Sequence, residues 1–457
     1  MERTLSKEIP GLVGQKVKMC GWVDTIRAHG KIVFFDLRDR SGIAQAIFML
    51  SKQEQDAEMN EMAKKLTPEC AIEIEGLIKE RPQGMENKKI ETGGVEVQVE
   101  KIKLVGKAEI LPFDIKDLNS GLPIVLDHRP LTLRNEKVKA VFKLQEEMIA
   151  SFRRALSSLD FTEFQSPSII PQASEGGSEV FHIDYFDYSA YLAQSPQFYK
   201  QILVGVFERV FTVNQAYRAE PSMTTRHLCE YTSLDAEMGC INSWEELMDT
   251  AELVTKNILT DMQKNRAKEL AIFNPQISDL NVKFPRIKMR EAQKIVLERT
   301  GRDNTKEPDL QPDDEKELCK YAKEKYGSDF IFITHYPTKK RPFYTFADPN
   351  DPEYTLSFDL LYNGLELISG GQRINDYQTL VENIKKWGNN PENFEFYLQA
   401  FKYGMPMEGG FAFGAERMIK QLLGLENIRE ATLFPRDMER IDQRLSILQG
   451  EKKKDKN

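Results

Sequence analysis

The sequence predicts an α+β protein in which a small all-β barrel precedes a larger domain of mixed strands and helices. Two observations carry this prediction. Apolar and polar residues alternate with a period of two through much of the first 105 residues, whereas apolar positions recur at helical spacing from residue 138 onward. A chain of 457 residues is also long enough for two or three domains, each with its own core.

Five short strands and one helix are expected in the first part of the chain. The strands are predicted at 16–27, 31–38, 43–48, 70–76 and 95–100, and the helix at 53–66. Five strands with a helix before the fourth are typical of an OB-type Greek-key barrel. Such barrels often bind single-stranded nucleic acid, although a barrel without any ligand fits the same pattern.

The domain boundaries follow from the change of pattern. The barrel, a linker and the second domain are expected at 1–106, 107–132 and 133–457. The linker contains Pro112, Pro123 and Pro130, which interrupt helices. In the second domain an amphipathic helix is predicted over 138–159, and the charged segment 246–330 is interpreted as a helical embellishment.

Composition excludes several classes of protein. The net charge of −8 does not favour DNA coating, but it permits a local basic surface for one structured RNA. No apolar run is long enough to span a membrane, and the first residues lack the apolar core of a signal peptide. Five cysteines without a CxxC pair indicate free thiols in a reducing cytoplasm.

Charged residues inside strand-like segments are the strongest functional signal. There is no GxxxxGK[ST] loop and no strand–GxGxxG–helix unit. The charged segments are 211–238 with Arg218, Glu220 and His227, 366–373, and 409–418 with Arg417. Taken singly, these residues could be a surface ion pair and a core histidine.

Taken together and in order, the segments resemble the three motifs of the class II aminoacyl-tRNA synthetases. The end of the predicted helix with Phe161, Thr162, Glu163 and Pro167 resembles motif 1, the Arg218–Glu220 hairpin motif 2, and 410–417 motif 3. The barrel in front is typical of the aspartate, asparagine and lysine subgroup. This resemblance covers nearly the whole chain and implies a homodimer that binds tRNA.

The resemblance also implies ATP as a substrate and Mg²⁺ as its metal ion. The implied catalytic residues are Arg218, Glu220, His227 and Arg417. The implied ATP-binding residues are Arg218, Glu220, Arg226, His227, Tyr231, Glu366 and Arg417. Asp359, Glu366 and Ser369 are the implied oxygen ligands of Mg²⁺. Arginine suits these phosphate contacts because its planar fork matches phosphate oxygens.

The segment Gln194–Lys200 resembles the aspartyl enzymes, and the segment Arg341–Thr345 resembles those of the archaeal and eukaryotic type. Lys200 and Arg373 are then expected to bind the side-chain carboxylate of L-aspartate, whereas neutral asparagine would leave both cations unpaired. The implied aspartate-binding residues are Glu175, in a closing lid, Gln197, Lys200, Asp235, Ser369 and Arg373. An asparaginyl enzyme, a paralogue that forms free asparagine and a catalytically inactive RNA-binding protein are the alternatives.

Three barrel residues are implied to read the anticodon of the tRNA. Phe34 would stack on a base, Gln45 would bind the central uridine, and Glu96 would contact the first anticodon base. Phe35 must then face the opposite side of its strand, toward the core. The expected RNA is tRNA(Asp), and the sequence leaves open whether tRNA(Asn) is also charged.

Overall fold

In the computed structural model, the described residues are 1–51, 53, 57–119, 121–173, 179–221 and 224–447. They belong to two compact units, Met1–Ile115 and Lys116–Asn457. Within the described ranges, no helix is both long and apolar enough to cross a membrane.

The first unit contains the predicted barrel. Its elements are β1 (Lys16–His29), β2 (Ile32–Asp39), β3 (Gly42–Met49), α1 (Ala57–Lys65), β4 (Ala71–Glu80) and β5 (Val95–Gly106). The strands close in the order β1-β2-β3-β5-β4, and β3 and β5 run parallel. Along β2, Val33, Phe35 and Leu37 are buried in the core. Phe35 thus faces the core, as expected from the role implied for Phe34, and the predicted OB-type barrel is confirmed.

The segment predicted as a linker contains two short helices, α2 (Leu122–Asp127) and α3 (Arg129–Thr132). Pro123 and Pro130 lie in the first turns of these helices rather than between them. Proline is tolerated there because the first turn has no intrahelical partner for its N–H group. The prolines therefore mark helix starts.

The second unit is built on a mainly antiparallel sheet flanked by helices. Its helices are α4 (Glu136–Ser157), α5 (Gln197–Phe207), α6 (Glu245–Asn265), α7 (Ala267–Phe273), α8 (Met289–Thr300), α9 (Pro312–Tyr326), α10 (Tyr377–Lys386), α11 (Glu395–Lys402) and α12 (Ala415–Leu423). Its strands are β6 (Thr162–Glu163), β7 (Ile169–Ile170), β8 (His182–Tyr185), β9 (Tyr188–Leu192), β10 (Arg209–Tyr217), β11 (Glu230–Gly239), β12 (Arg286–Lys288), β13 (Phe330–Thr334), β14 (Ala347–Asp348), β15 (Asp351–Thr355), β16 (Ser357–Tyr362), β17 (Leu365–Gln372) and β18 (Glu408–Gly414).

Eight of these strands form the main sheet in the order β12-β13-β16-β17-β18-β11-β10-β6. The parallel pairs are β12–β13 and β10–β6. This order brings the three charged segments of the sequence onto adjacent strands, because β17, β18, β11 and β10 are neighbours. The α+β prediction with an antiparallel sheet is confirmed.

Helix α4 packs its apolar face into the largest core of this unit. Asn135 caps the helix by accepting hydrogen bonds from the backbone N–H groups of Lys137 and Val138. Phe152 makes edge-on contacts with Phe211 and Phe413, with ring centroids 5.8 Å apart in each case. Burial of this apolar stripe explains why the helical periodicity was readable in the sequence.

The segment 246–330 is more than an embellishment. Helix α6 contributes apolar residues to the same core as α4, namely Leu247, Met248, Ala251, Val254, Ile258, Leu259 and Met262. Strand β12 of this segment, together with β13, which begins at its last residue, also forms one edge of the main sheet. Its high surface charge hid this role, because the apolar positions of an amphipathic helix are only a minority of its residues.

Candidate active site

The hairpin β10–β11, strand β17 and the junction of β18 with α12 enclose a cavity of about 180 Å³. Eight residues predicted from the sequence line it: Arg218, Glu220, Arg226, His227, Tyr231, Glu366, Ser369 and Arg417. Ser233 and Glu416 line it as well. The eight predicted residues, which are up to 199 positions apart in the sequence, therefore meet in one polar cleft.

Glycine at position 410 allows the strands of this site to pack closely. A side chain there would place its Cβ atom 2.1 Å from Oε2 of Glu237 and 2.2 Å from the carbonyl oxygen of Ala236. Strand β18 then runs directly into α12, whose first turn carries Glu416 and Arg417. Strand β18, which contains Gly409, Gly410 and Gly414, thus places Arg417 of the following helix in the cavity wall.

Arg218, Glu220 and His227 form a loosely connected group on one wall. Nη1 of Arg218 lies 3.5 Å from Oε1 of Glu220, and Nε2 of His227 lies 3.5 Å from Oε2 of the same residue. Burial lowers the pKa of His227, and the positive charges of Arg417, Arg226 and Arg218 lower it further, against the opposing effect of Glu220. A neutral imidazole beside several guanidinium groups leaves the wall strongly cationic, which suits a polyphosphate.

Arg417 and Arg226 differ in how firmly they are held. Nη1 of Arg417 lies 3.6 Å from a carboxylate oxygen of Glu366. Nη2 of Arg226 instead donates to Glu315 at 2.7 Å and to the carbonyl oxygen of Gly364 at 2.8 Å. Burial raises the pKa of Glu315 to about 7 even though Arg226 opposes the shift. Arg417 is thus the less constrained of the two cations.

Beneath the cavity lies a buried charge cluster that consists of Lys200, Asp235, Glu237, Arg373 and Glu408. Lys200 is 2% exposed, and its Nζ lies 3.0 Å from Asp235 and 3.1 Å from Glu237. Burial lowers the pKa of Lys200, but the two carboxylates outweigh that effect and leave it raised. Asp235 also accepts a hydrogen bond from Ser233 at 2.5 Å, which connects the cluster to the cavity wall.

Arg373 completes the ion pairs of the cluster. Its Nε donates to Oε1 of Glu237 at 2.6 Å, and its Nη2 donates to Oε2 of Glu237 at 3.3 Å and to the carbonyl oxygen of Gly410 at 3.2 Å. Burial raises the pKa of Glu237, but Arg373 and Lys200 overcome this and hold it below its ordinary value. Glu237 thus bridges both cations.

This pairing corrects the electrostatic argument for aspartate. The expectation that asparagine would leave Lys200 and Arg373 unpaired is wrong, because Asp235 and Glu237 already balance both charges. An ammonium group has three donors and a guanidinium group five, so these pairs do not exhaust their hydrogen-bonding capacity. Any preference for a substrate carboxylate must therefore arise from the placement of donors rather than from uncompensated charge.

Gln197 and Asp235, two of the residues expected to bind aspartate, do not line the cavity. Gln197 is buried, and its side-chain nitrogen donates to Oε1 of Gln201 at 2.9 Å. Both carboxylate oxygens of Asp235 are occupied, one by Lys200 and the other by Ser233. In this conformation Asp235 is paired within the cluster and Gln197 is hydrogen-bonded to Gln201. Their role toward substrate stays a prediction.

The three predicted Mg²⁺ ligands lie on neighbouring strands. Asp359 and Ser369 are paired across β16 and β17, and Glu366 is also on β17. Arg341 contacts two of them: its Nη2 lies 2.8 Å from Asp359, and its Nη1 donates to Ser369 at 2.9 Å. Burial and the charge of Asp359 raise the pKa of Glu366. No group of three or more His, Cys, Asp or Glu side chains suited to a metal occurs among the described residues.

In the first unit, Phe34, Gln45 and Glu96 share the outer face of the barrel. The strand registers pair Asp36 with Gln45 and Ala46 with Val97, which places these three side chains on one side. Phe34 is half-buried, whereas its neighbour Phe35 is in the core. Gln45 is buried and donates weakly to Glu96 at 3.5 Å. Burial raises the pKa of Glu96 despite the nearby Arg81.

Sequence reasoning did not identify several residues of the site. Glu237, Glu408 and Arg341 were not among the predicted site residues, although each is a charged residue that the structure buries or brings to the predicted ligands. Charged residues inside apolar strand segments, such as Glu237 between Ala236 and Met238, were the available signal. Glu175, the predicted lid residue, lies outside the described residues.

The chain matches two family models that together span most of its length. Residues 122–438 match tRNA synthetases class II (D, K and N). Residues 17–105 match the OB-fold nucleic acid binding domain. The first match covers the whole cavity and the buried charge cluster.

Curated relatives and solved structures agree with these matches. A protein of Thermus thermophilus named aspartate–tRNA(Asp/Asn) ligase is 41% identical, over 96% of this chain and 99% of its own. One of Pyrococcus abyssi named aspartate–tRNA(Asp) ligase is 40% identical, over 94% and 97%.

Two solved structures are similar in fold. The asparaginyl-tRNA synthetase of Pyrococcus horikoshii in complex with asparaginyl-adenylate has a TM-score of 0.87 and 32% identity, over 96% of this chain and 99% of its own. The aspartyl-tRNA synthetase of Entamoeba histolytica has a TM-score of 0.84 and 30% identity, over 96% and 93%. The chain therefore belongs to the class II tRNA synthetases of the aspartate, lysine and asparagine group.

Proposed function

We propose that this protein is an aspartate–tRNA ligase, which activates L-aspartate with ATP and transfers it to the 3′ end of tRNA(Asp). The observation that carries the proposal is a cationic cavity whose wall residue Ser233 is hydrogen-bonded to Asp235 of a buried lysine–arginine cluster. The relatives named aspartate–tRNA ligases, about 40% identical over nearly the whole chain, support aspartate as the amino acid.

Activation would begin with attack of the aspartate α-carboxylate on the α-phosphorus of ATP, with pyrophosphate as the leaving group. Negative charge builds on the α-phosphate and on the pyrophosphate, so catalysis consists mainly of positioning and charge stabilisation. Arg218 would hold the α-phosphate, while Arg417 and His227 would contact the distal phosphates. Tyr231 would stack on the adenine, and Glu220 would accept a hydrogen bond from its amino group.

Asp359, Glu366 and Ser369 are proposed to hold Mg²⁺. Their oxygen donors suit this ion, and Oδ1 of Asp359 lies 2.8 Å from Nη2 of Arg341, which balances its charge. Bound Mg²⁺ would neutralise phosphate charge. Because Arg341 contacts Asp359 and Ser369, its guanidinium would have to share these oxygens with the ion or move.

Transfer would follow when the 3′-hydroxyl of the terminal adenosine attacks the aspartyl-adenylate and releases AMP. Phe34, Gln45 and Glu96 on the barrel face are proposed to read the anticodon. The names of relatives in both RNA classes, tRNA(Asp) alone and tRNA(Asp/Asn), make tRNA(Asn) a second candidate substrate.

Activation of asparagine is the second candidate function, and a specific observation favours it. The cations of the buried cluster are already paired with carboxylates. One of the solved structures similar in fold, with a TM-score of 0.87, is that of an asparaginyl-tRNA synthetase. Against it, the aspartate-specific segment Gln194–Lys200 is present, and the relatives named for aspartate are more similar in sequence. The barrel argues against a paralogue that forms free asparagine.

We also propose a homodimer in the cytoplasm. The dimer surface would lie along the short edge strand β6, and the exposed Val206 and Phe207 at the end of α5 come just before β10, the strand that pairs with β6. Exposed apolar residues beside a sheet edge are typical of an interface. All five cysteines are free thiols, which suits a reducing compartment.

Aminoacylation with labelled aspartate and two purified transcripts, tRNA(Asp) and tRNA(Asn), tests the proposal. We expect charging of tRNA(Asp) in an ATP-dependent reaction, and charging of tRNA(Asn) would define a broader RNA specificity. Failure to charge either transcript with aspartate, together with charging of tRNA(Asn) by labelled asparagine, would replace this proposal by the second candidate.

A further inference from the structure

Glu408, the first residue of β18, is a completely buried carboxyl group in the charge cluster. Its Oε1 accepts a hydrogen bond from Nε2 of Gln201 at 2.7 Å. The hydroxyl of Tyr397 donates to Oε1 of the same Gln201 at 3.1 Å, which orients the amide. For Oε2 of Glu408, the described residues supply no hydrogen-bond donor. An ionised carboxylate is therefore only half satisfied at this position.

The neighbours of Glu408 make a second negative charge costly. The cluster contains three carboxyl groups and two cations, all of them nearly or completely buried. If every group were ionised, one negative charge would remain uncompensated, and a buried uncompensated charge is strongly destabilising. One proton on the cluster would make it neutral.

The pKa values of Glu408 and Glu237 are shifted in opposite directions. Burial, the charge of Glu237 and a hydrogen bond shared with Glu237 raise the pKa of Glu408 well above its usual range, although Gln201 and Arg373 oppose the shift. Arg373 and Lys200 hold the pKa of Glu237 low in spite of its burial. The nearby Tyr397 is itself buried, and its pKa is raised, so it does not compete for a negative charge.

We propose that Glu408 is protonated in the folded protein and donates a hydrogen bond from Oε2 to Glu237. Glu408 is then a positioning residue: it acts through Glu237, which contacts Lys200 and Arg373 directly. The role in substrate selection rests on the proposed function, since these two cations would bind the aspartate side chain. An ionised Glu408 would instead add negative charge next to Arg373 and repel that side chain.

Infrared difference spectra of the wild-type protein and Glu408→Gln test the proton directly. They are best recorded near neutral pH, and the bands of Glu315 and Glu416, whose pKa values are also raised, cancel in the difference because both proteins contain these residues. We expect the C=O stretching band of a neutral carboxyl group in the wild type and its loss in the variant. Spectra that differ only in carboxylate bands would overturn the proposal, whether or not the protein activates aspartate.

Pyrophosphate exchange driven by aspartate tests the positioning role. Glu408→Gln keeps an acceptor for Gln201 and a neutral donor for Glu237, so its KM for aspartate should stay within about twofold of wild type. Glu408→Met removes both hydrogen bonds, and its KM for aspartate should rise about tenfold with a smaller change in kcat. The exposed Glu100→Gln serves as the control and should change neither value.

Two outcomes distinguish a failure of the positioning role of Glu408 from a failure of the proposed function. A KM that rises as much in Glu408→Gln as in Glu408→Met would overturn the neutral positioning role, because the amide reproduces the protonated acid. A wild-type protein that does not activate aspartate would overturn the proposed function alone, since the infrared band still decides where the proton lies.

Discussion

The cations of the open cavity and those of the buried cluster are held in opposite ways. Arg218 and Arg417 are 39% and 30% exposed, with carboxylate contacts at 3.5 and 3.6 Å. Lys200 and Arg373 are 2% and 7% exposed, with contacts at 3.0 and 2.6 Å. Loose pairing leaves Arg417 available to phosphate, whereas tight pairing fixes the geometry of the buried cations. The first region should therefore govern catalysis with little effect on stability, and the second should govern both.

The largest effect is expected for Lys200→Ala. The substitution leaves Asp235 and Glu237 buried with one cation between them, which should cost about 3–5 kcal/mol of unfolding free energy and abolish aspartate-dependent pyrophosphate exchange. Urea denaturation and exchange assays measure the two effects. Lys139→Ala removes an exposed lysine paired with Glu136 and should cost no more than about 0.5 kcal/mol. Full retention of exchange by Lys200→Ala would contradict the assignment of this pocket.

Arg417→Gln should separate catalysis from stability. Loss of one guanidinium that stabilises developing phosphate charge should lower kcat/KM for ATP by about 10²–10³-fold. Because the side chain is partly exposed and only loosely paired, the unfolding free energy should change by less than about 1 kcal/mol. A loss of stability as large as that of Lys200→Ala would show that the two regions do not differ as described.

Glu416 tests the boundary between the two regions, because it lines the cavity yet is almost fully buried. Burial raises its pKa to about 7, although the backbone N–H of Thr232 donates to it. The folded state then binds more protons than the unfolded state between about pH 4.5 and 7, so stability falls as the pH rises through this window. Glu416→Gln should match the wild type at low pH.

Above pH 7 the same variant should exceed the wild type by on the order of 2–3 kcal/mol. Urea denaturation at several pH values measures this difference. Equal stability of Glu416→Gln and wild type across the whole pH range would mean that ionised Glu416 does not destabilise the fold. Glu416 would then resemble the charges of the open cavity rather than those of the buried cluster.

The smallest effect is expected in the barrel unit, which should influence RNA binding alone. Phe34→Ala removes the ring proposed to stack on an anticodon base and should raise KM for tRNA about tenfold. Aspartate-dependent exchange, which needs no RNA, should be unchanged. Leu104→Ala alters another partly exposed apolar residue of the barrel and should leave both assays unaffected. Impaired exchange in Phe34→Ala would argue against this division of labour.

The fold and the cavity wall were readable from the sequence because local patterns encode them. The family resemblance, together with the alternation of side chains along a strand, placed Phe35 in the barrel core, and helical spacing predicted the helix whose residue Phe152 is buried in the core of the second unit. The cavity residues were found through the resemblance of three short segments, and the strand order then brings those segments together. Physical pattern and family resemblance were both needed.

The buried ion pairs were not readable, since they depend on strand register over long separations. Arg373 and Glu237 are 136 positions apart, and Gln201 and Glu408 are 207 apart. A sequence shows that a charge interrupts an apolar strand, but it does not show which opposite charge lies across from it. For this reason Lys200 and Arg373 were expected to be neutralised only by a substrate carboxylate. In the structure Asp235 and Glu237 already neutralise them.

The choice of amino acid is the central claim, and pyrophosphate exchange by the wild-type protein with ATP and either aspartate or asparagine tests it most directly. The account predicts rapid exchange with aspartate and little or none with asparagine. Exchange that is faster with asparagine would contradict it, because the paired cluster would then select a neutral side chain.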